Sequence, residues 1–288
     1  MARKNSVLNL STVEFTHNDN GTVTAHFVNH IDGHEKVKTY KTERAAQGAA
    51  TRFHNRVNRI YENGVMIAGR AYEYRKSIFC RNLSPVIVSD NMSGKMENIP
   101  SISTSCLRNK FCEARRKDGN SICAHCFAAA TLNMRETVGE NTEINFDLLT
   151  SEILPDDLLP VFHAGVEIAR FESFGDIANI IQAVNYINIA RKNPHVTFGW
   201  WTKNTAIVTA AFDKYSKPDN IVMIQSARFL NQSETPVNAY FDKVFTVYTP
   251  AFIADHNVSV NCGARDCDTC RRCYNVNNTE TTVNEVLK

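Results

Sequence analysis

Short apolar runs, each followed by a polar loop and often by a helix-spaced segment, repeat along the second half of the chain. The apolar runs that suit buried strands cover residues 165–171, 196–201, 220–225, 243–248 and 258–261. Between them, residues 177–192 and 205–215 carry apolar positions at helical spacing. Strands that alternate with helices are typical of a parallel sheet with right-handed crossovers. With a further apolar run over 84–89, the pattern predicts an α/β fold, a complete or partial (β/α) barrel over residues 75–288.

Residues 1–70 have a different pattern, which predicts a small α+β unit made of strands and then a helix. The β-prone runs cover 13–16, 22–28 and 36–40, and the first two flank a polar stretch with hairpin chemistry. Residues 43–61 then place their apolar side chains at helical spacing. Thr42 is the expected N-cap of that helix.

Composition and charge narrow the class of protein. The 288 residues include 32 Lys and Arg against 30 Asp and Glu, a formal charge of +2 that gives no global attraction to nucleic acid or membrane. No apolar stretch approaches the roughly 20 residues that span a bilayer. The N-terminus also lacks the long apolar core of a signal peptide. We therefore expect a cytoplasmic protein with no membrane partner.

The nine cysteines are the main anomaly of the composition. Cys80 stands alone, and we expect it to be a small buried apolar residue. The others form a first cysteine group (Cys106, Cys112, Cys123 and Cys126) and a second cysteine group (Cys262, Cys267, Cys270 and Cys273). In a long chain without a signal peptide, clustered thiols more often bind metal than form a disulfide framework. The sequence therefore predicts two metal sites.

The spacing within the second cysteine group favours an iron–sulfur cluster of the [4Fe-4S] type. Its pattern is Cys-x4-Cys-x2-Cys-x2-Cys, and two overlapping Cys-x-x-Cys steps let three thiolates of one tight loop converge. Zinc also binds four thiolates, but its sites usually pair two separated knuckles. Zinc remains the alternative metal.

In the first cysteine group, Cys123 and Cys126 form one knuckle, and Cys112 is the natural third ligand. Three thiolates on a four-iron cluster leave one iron open to a small molecule. Cys106 is a candidate fourth ligand that would close the site and make it structural. The spacing leaves both arrangements open.

Charged residues follow several of the predicted strands. Glu172 and Asp176 follow the run over 165–171, and Lys203 and Arg228 follow the next two. Because sites in β/α barrels gather at the carboxyl ends of the strands, we expect these residues and both cysteine groups to converge at one edge. Glu172 and Asp176 would hold polar or cationic groups, and Lys203 and Arg228 would hold anionic ones. The alternative for each is a salt bridge at the edge of the sheet.

Several segments of the chain carry a family resemblance by their order and spacing. They are Ile102-Ser103-Thr104-Ser105, Cys123-Ala-His-Cys126-Phe-Ala, Arg170-Phe-Glu-Ser-Phe-Gly-Asp176, Trp201-Thr-Lys-Asn204 and the second cysteine group through Tyr274. Over about residues 95–275 these segments resemble the phage and plasmid gene-product-88-like proteins. The resemblance implies a viral or mobile-element origin, and no reaction. Phe127 stands where the family is expected to have tyrosine, and Cys106 is not an expected family cysteine, which favours Cys112, Cys123 and Cys126 as ligands.

The arrangement is also similar in architecture to radical S-adenosylmethionine enzymes. Those enzymes place a three-cysteine cluster in a loop after an early barrel strand and often carry a second cluster near the C-terminus. The resemblance implies S-adenosylmethionine as a cofactor, with Gly175 and Asp176 where those enzymes bind the amino group of its methionine moiety. The first cysteine group departs from their usual Cys-x3-Cys-x2-Cys spacing, since its ligands are spaced Cys-x10-Cys-x2-Cys.

Two functions are consistent with these observations. The first is an iron–sulfur enzyme that binds a small molecule at the open iron of the first cluster, while the second cluster relays electrons or anchors substrate. The alternative is a binding protein whose cysteine groups are structural zinc or iron–sulfur sites. It would contact nucleic acid or a host protein through a basic surface. The residues of that surface would be Arg108, Lys110, Arg115, Arg116, Lys117, Arg265, Arg271 and Arg272.

Overall fold

The computed structural model describes residues 9–263, 266–275, 277 and 280–287. By its internal contacts the chain divides into two compact units, Met1–Tyr74 and Arg75–Lys288. In the described ranges, no helix has both the length and the apolar character needed to cross a membrane.

The N-terminal unit is a three-stranded antiparallel sheet followed by a helix and a hairpin. Its elements are β1 (Ser11–His17), β2 (Val23–Asn29), β3 (Glu35–Tyr40), α1 (Glu43–Asn63), β4 (Gly64–Ile67) and β5 (Arg70–Glu73). Buried Ala25 and Phe27 of β2 pack with Ala46 and Ala49 of α1, because alternate residues of a strand face the same side. The Thr42 hydroxyl accepts a hydrogen bond from the Ala45 N–H and caps α1. The small antiparallel sheet agrees with the prediction, whereas the β4–β5 hairpin was not predicted.

The C-terminal unit contains a six-stranded, all-parallel sheet. Its strands are β6 (Ser101–Ile102), β7 (Ile168–Phe171), β8 (Thr197–Thr202), β9 (Ile221–Ser226), β10 (Lys243–Tyr248) and β11 (Thr282–Val286). Each strand pairs with its neighbour in the sequence, in the order β6-β7-β8-β9-β10-β11. The helices are α2 (Lys110–Lys117), α3 (Phe127–Met134), α4 (Glu136–Ser151), α5 (Ile180–Lys192), α6 (Thr205–Tyr215), α7 (Pro250–His256) and α8 (Cys267–Cys270).

This topology confirms the parallel α/β prediction in its coarser form. Sequential strand order is also the order of a β/α barrel. In the described part of the chain, however, β6 and β11 are the two edges of the sheet and do not pair with each other. A complete barrel is therefore not found among these residues.

Two predicted strands were wrong. Residues 84–88 are buried, but the segment 84–89 forms only isolated bridges, because the Asn145 side chain binds both the N–H and the carbonyl of Ile87 at 2.8 Å. Residues 258–261 are irregular, and the last strand of the sheet is β11, which follows the second cysteine group instead of preceding it.

An aromatic core joins one face of the sheet to α5 and α6. Phe171 stacks on Tyr186 of α5 at 4.3 Å and on Phe198 of β8 at 4.6 Å, and Trp200 packs edge-on against Phe212 of α6. Burying one such side chain stabilises a fold by about 1.5–3 kcal/mol, so this layer fixes the ends of β7 and β8. The other face carries Trp201, since successive residues of a strand point to opposite sides.

Candidate functional site

Four neighbouring strands end at one edge of the parallel sheet, which we call the carboxyl edge. Polar residues follow each strand there: Thr104 after β6, Glu172 and Asp176 after β7, Lys203 after β8 and Arg228 after β9. Parallel strands present their carboxyl ends on the same side, and sites in α/β proteins gather there. The structure therefore places the four charged residues that the sequence singled out at this edge.

Glu172 is 2% exposed and is surrounded by hydrogen-bond donors. Its carboxylate accepts from the Thr104 N–H (3.1 Å) and hydroxyl (2.8 Å), the Gln182 amide (2.5 Å) and the Tyr186 hydroxyl (2.6 Å). A left-handed backbone conformation, with φ of 60°, turns the chain at this residue. Burial raises the pKa of Glu172 to about 7, although the donors act in the opposite direction. Glu172 is thus a buried carboxyl group whose pKa lies near neutrality.

Asp176 is the second buried carboxylate of the carboxyl edge. It accepts from the Thr202 hydroxyl (2.5 Å), the Lys203 N–H (2.9 Å) and the Ile177 N–H (2.7 Å). Burial raises its pKa, while the positive charge of Lys203 and these hydrogen bonds oppose the rise. The Asn109 amide donates to the Asp176 carbonyl at 2.7 Å and so ties this turn to the start of α2.

The other predicted residues of this edge have mainly packing and backbone contacts. Lys203 donates from Nζ to the Ser226 hydroxyl at 2.9 Å, and the Arg228 N–H donates to Glu234 at 2.8 Å. A Cβ on Gly175 would overlap the Glu172 carboxylate and lie 2.5 Å from the Thr104 carbonyl oxygen. Gly175 is therefore required for close packing.

The first cysteine group lies beside the carboxyl edge. Cys112 is on α2, Cys123 lies in a 3-10 turn over Ile122–His125, and Cys126 precedes α3. The Ile122 N–H donates to the Arg228 carbonyl at 3.0 Å, which fixes this turn to the end of β9. Burial raises the pKa of Cys112, and the nearby charges of Asp176 and Glu172 raise it further. Cys112 is thus close to Cys123 and Cys126 and to both buried carboxylates.

Cys106 and Cys126 form a hydrogen-bonded thiol pair in which Cys126 has the more stable thiolate. The Cys106 thiol and the backbone N–H groups of Ala129 and Ala128 at the start of α3 stabilise the negative charge of the Cys126 sulfur. These donors lower the pKa of Cys126 to about 6, although burial opposes them. The same hydrogen bond, together with burial, raises the pKa of Cys106.

The second cysteine group lies against the sheet face opposite the aromatic core. Cys267 and Cys273 pack with Ile168 of β7 and with Trp201 and Tyr274. The Tyr274 ring fits over Gly199, where a Cβ would lie 2.8 Å from it. The second group therefore lies on the sheet face, not at the carboxyl edge, so the expectation that both groups meet at that edge was wrong.

Three cations surround the second cysteine group. Lys95 donates to the Cys262 sulfur at 3.2 Å and to Glu285 at 2.9 Å. Arg170 and Lys243 lie close enough to interact with Cys273, and Arg170 also interacts with Cys267. Burial raises the pKa of Cys273 to about 12, and the other thiols of the group raise it too. Three partly buried thiols and the exposed Cys270, among three cations, are suited to the charge of a metal-bound thiolate set.

The two cysteine groups have two predicted kinds of metal site, a zinc ion or an iron–sulfur cluster. Among the described residues, no three His, Cys, Asp or Glu side chains are arranged to hold one metal ion. A zinc ion needs its ligands around one point, whereas an iron–sulfur cluster spreads its thiolates over several irons. The buried Arg170 Nε also lacks a hydrogen-bond partner beside the second group, as expected if a further sulfur acceptor belongs there. A site for a single ion is therefore not found among the described residues, and the iron–sulfur cluster stays a prediction.

The predicted basic surface is largely neutralised. Arg108 pairs with Asp147 (3.0 Å), Lys117 with Glu113 (2.7 Å) and Arg272 with Glu280 (2.5 Å), and Arg271 pairs with Glu167 and Asp268. Arg116 donates to the Cys106 carbonyl at 2.7 Å, and Arg115 lies over the Phe111 ring. Lys110 is exposed, and Arg265 lies outside the described residues.

Several residues of the site were not predicted from the sequence. Gln182 and Tyr186 come from α5, four residues apart on one helix face, and their pattern reads as ordinary helix core. Asn109 had no signal in the sequence, because helix α2 was not predicted. Lys95 and Arg170 reach the second cysteine group only through the fold, although Arg170 lies in a motif that the family resemblance already included.

The fold and the site define an α/β protein with one cysteine group at the carboxyl edge of a parallel sheet and another on its face. The sequence model of the family described as gene product 88 matches residues 82–276, more than half of the chain. The chain belongs to the gene product 88 family. No curated protein and no solved structure matches it. The family resemblance is thereby confirmed, whereas the similarity to radical S-adenosylmethionine enzymes is not supported.

Proposed function

We propose that this member of the gene product 88 family is an iron–sulfur protein that acts on a small molecule at the carboxyl edge. One observation carries the proposal. Cys112 lies close to Cys123 and Cys126 and also to two buried carboxylates, Glu172 and Asp176, at the edge where α/β proteins bind substrates. Thiolates and perturbed carboxyl groups in one place are typical of a catalytic site.

The three thiolates would hold a cluster with one iron open to the substrate. Such a cluster supplies one-electron chemistry and a site for an oxygen or nitrogen ligand. Cys106 is the weakest candidate ligand, because its thiol is already used as a hydrogen-bond donor to Cys126. In this arrangement Cys106 holds the Cys126 sulfur in place and is not bound to iron.

The protein groups around that position define how a substrate would be held. Glu172, with its pKa near 7, can give or take a proton at neutral pH. The hydroxyls of Ser105 and Ser173 are buried without a hydrogen-bond partner among the described residues. They are candidate contacts for polar atoms of a substrate, because buried hydroxyls are normally satisfied.

S-adenosylmethionine is the first small molecule to test. Gly175 itself is packed against Glu172 and Thr104, so a contact to the methionine amino group would fall to Asp176 or to the neighbouring carbonyls. Lys203 and Arg228 would hold the anionic part of a substrate. The second cysteine group, with four thiols, would hold a closed cluster that relays electrons.

Metal analysis of the full chain purified without oxygen tests the proposal. The expected protein is brown, absorbs broadly near roughly 400 nm and contains about eight irons per chain, the content of two four-iron clusters. The paired variants Cys112→Ala/Cys123→Ala and Cys267→Ala/Cys270→Ala should each lose half of the iron. Cys80→Ala, at a lone buried cysteine, is the matched control, and Cys106→Ala should keep its iron. A colourless protein with stoichiometric zinc would refute the proposal.

A further inference from the structure

The environment of Arg170 is unusual for a partly buried guanidinium. Arg170 lies on β7, with its guanidinium 4.0 Å from the centre of the Trp201 ring. The Trp201 ring in turn packs edge-on against Tyr274, which directly follows Cys273. Stacking on indole orients a guanidinium and leaves its N–H groups pointing outward.

The neighbours of this guanidinium are sulfur atoms. Among the described residues, no carboxylate pairs with Arg170, and its one side-chain hydrogen bond goes from Nη1 to the Met96 sulfur at 3.7 Å. Its electrostatic neighbours are the thiols of Cys267 and Cys273 and the hydroxyl of Tyr274. The Arg170 Nε–H is buried and has no acceptor. A partly buried cation normally has an anionic partner, and the thiols of the second cysteine group can supply negative charge close to Arg170.

We infer that Arg170 is the counter-charge of an anionic iron–sulfur cluster in the second cysteine group and sets its reduction potential by donating Nε–H to a cluster sulfur. The inference rests on the proposed function and assigns a role to a residue outside the cysteines. Lys95 and Lys243 add positive charge nearby, but each also binds an oxygen, of Glu285 and of the Glu280 carbonyl. Among the described residues, Arg170 is the member of the three whose side chain has no oxygen acceptor.

Electrostatics predicts the direction in which Arg170 shifts the reduction potential of the cluster. One-electron reduction, by a low-potential one-electron carrier in the cell or by dithionite in the test, adds one negative charge to the cluster. A fixed positive charge and an N–H donor stabilise the more negative state. Arg170 therefore raises the reduction potential, and its removal lowers it. It is a positioning and tuning residue that touches no substrate.

The test uses the full chain with the first cysteine group disabled by Cys112→Ala/Cys123→Ala, so that only the second cluster is observed. Arg170→Gln removes the charge, and Arg170→Lys keeps the charge without the planar fork. Arg191→Gln is the control, since Arg191 is exposed on α5 and donates to the Tyr215 carbonyl. The readout is a reductive titration with dithionite and redox mediators, followed by electron paramagnetic resonance, with iron content measured on the same samples.

Arg170→Gln should lower the potential enough to change the ratio of reduced to oxidised cluster at least tenfold, about 59 mV for one electron. The reduction potential of Arg170→Lys should lie between those of Arg170→Gln and the parent protein. If Arg170→Gln loses its iron while Arg170→Lys retains it, the counter-charge is needed for assembly, which also supports the inference. If both variants keep the parent potential, or both lose iron equally, the inference fails. An unsubstituted protein without iron would instead overturn the proposed function.

Discussion

Glu172 accepts a hydrogen bond from the Tyr186 hydroxyl at 2.6 Å, in a position where Phe171 and Tyr186 also stack ring on ring at 4.3 Å. Helix α5 is thus joined by an aromatic contact to Phe171, the last residue of β7, and by a polar bond to Glu172, which directly follows that strand. The polar bond places a carboxyl group in a buried position beside Cys112, and the stacked rings hold that position fixed.

The buried Glu172 should make stability fall as the pH rises. Its pKa is raised from 4.5 to about 7 in the folded state, so between these values the folded chain binds the proton that the unfolded chain has lost. The contribution is present below pH 4.5 and lost as the pH rises through about 7. Relative to Glu172→Gln, the unsubstituted protein should lose about 2 kcal/mol of unfolding free energy between roughly pH 5 and 8, at 1.36 kcal/mol per pKa unit. Urea unfolding at several pH values measures this difference. If the unfolding free energy changed with pH equally in both proteins, the prediction would be contradicted.

Gly175→Ala should destabilise the C-terminal unit. The added Cβ would overlap the Glu172 carboxylate and lie 2.5 Å from the Thr104 carbonyl oxygen, which belongs to the backbone and cannot move freely. Overpacking of this kind costs about 1–3 kcal/mol. Gly165→Ala is the control, because nothing lies within 4 Å of its added Cβ. In thermal unfolding, Gly175→Ala should have a lower melting temperature than Gly165→Ala. An unchanged melting temperature for Gly175→Ala would count against this close packing.

The strands with strong apolar runs were predictable from the sequence. Residues 196–201 and 243–248 are almost entirely apolar or β-branched, and they match β8 and β10 to within one residue. Strand β11 was missed because its sequence, Thr-Val-Asn-Glu-Val, has one buried residue at an edge of the sheet. Residues 84–89 look like a strand locally, but a side chain 58 residues away takes their hydrogen bonds. The sequence around residues 84–89 does not show that a distant side chain competes for hydrogen bonds with the backbone of Ile87.

Some residues of the candidate site could likewise be predicted from the sequence, and others could not. The cysteines and the acidic residues after β7 could be found from spacing, because a thiol cluster and a strand-end carboxylate are local features. The donors to Glu172 and the cations around the second group come from distant parts of the chain. Lys95, for example, reaches Cys262 across 167 residues. Only the fold brings such groups together, so they could not be read from the sequence.

Asn109 should be needed to place Cys112. It is 2% exposed, its Oδ1 caps α2 by accepting from the Phe111 N–H at 2.9 Å, and its Nδ2 donates to the Asp176 carbonyl at 2.7 Å. Asn109→Ala removes both bonds and should cost about 2–3 kcal/mol. It should also lower the iron content of the first cysteine group, measured in anaerobically purified protein.

Asn179 offers a matched control for Asn109. It caps α5 by accepting from the Gln182 N–H at 2.9 Å and donates to the Thr150 carbonyl at 2.9 Å. Asn179→Ala should therefore lose similar stability in urea unfolding but keep its iron. Equal iron loss in both variants would mean that Asn109 acts through general stability and not through the position of Cys112.

Cys126 should be the most reactive thiol of the first cysteine group in the metal-free chain. The Cys106 hydrogen bond and two backbone N–H groups of α3 lower its pKa to about 6, so it is largely thiolate at pH 6.5, and the thiolate is the nucleophile. Cys80, whose pKa burial raises to about 12, should remain unmodified. Cys106→Ala removes the largest of the stabilising interactions. If it raises the pKa of Cys126 by about one unit, the thiolate fraction at pH 6.5 and the alkylation rate should fall about threefold. Iodoacetamide labelling followed by peptide mass spectrometry measures these rates. A Cys126 rate that does not change in Cys106→Ala would mean that the backbone N–H groups alone hold the thiolate.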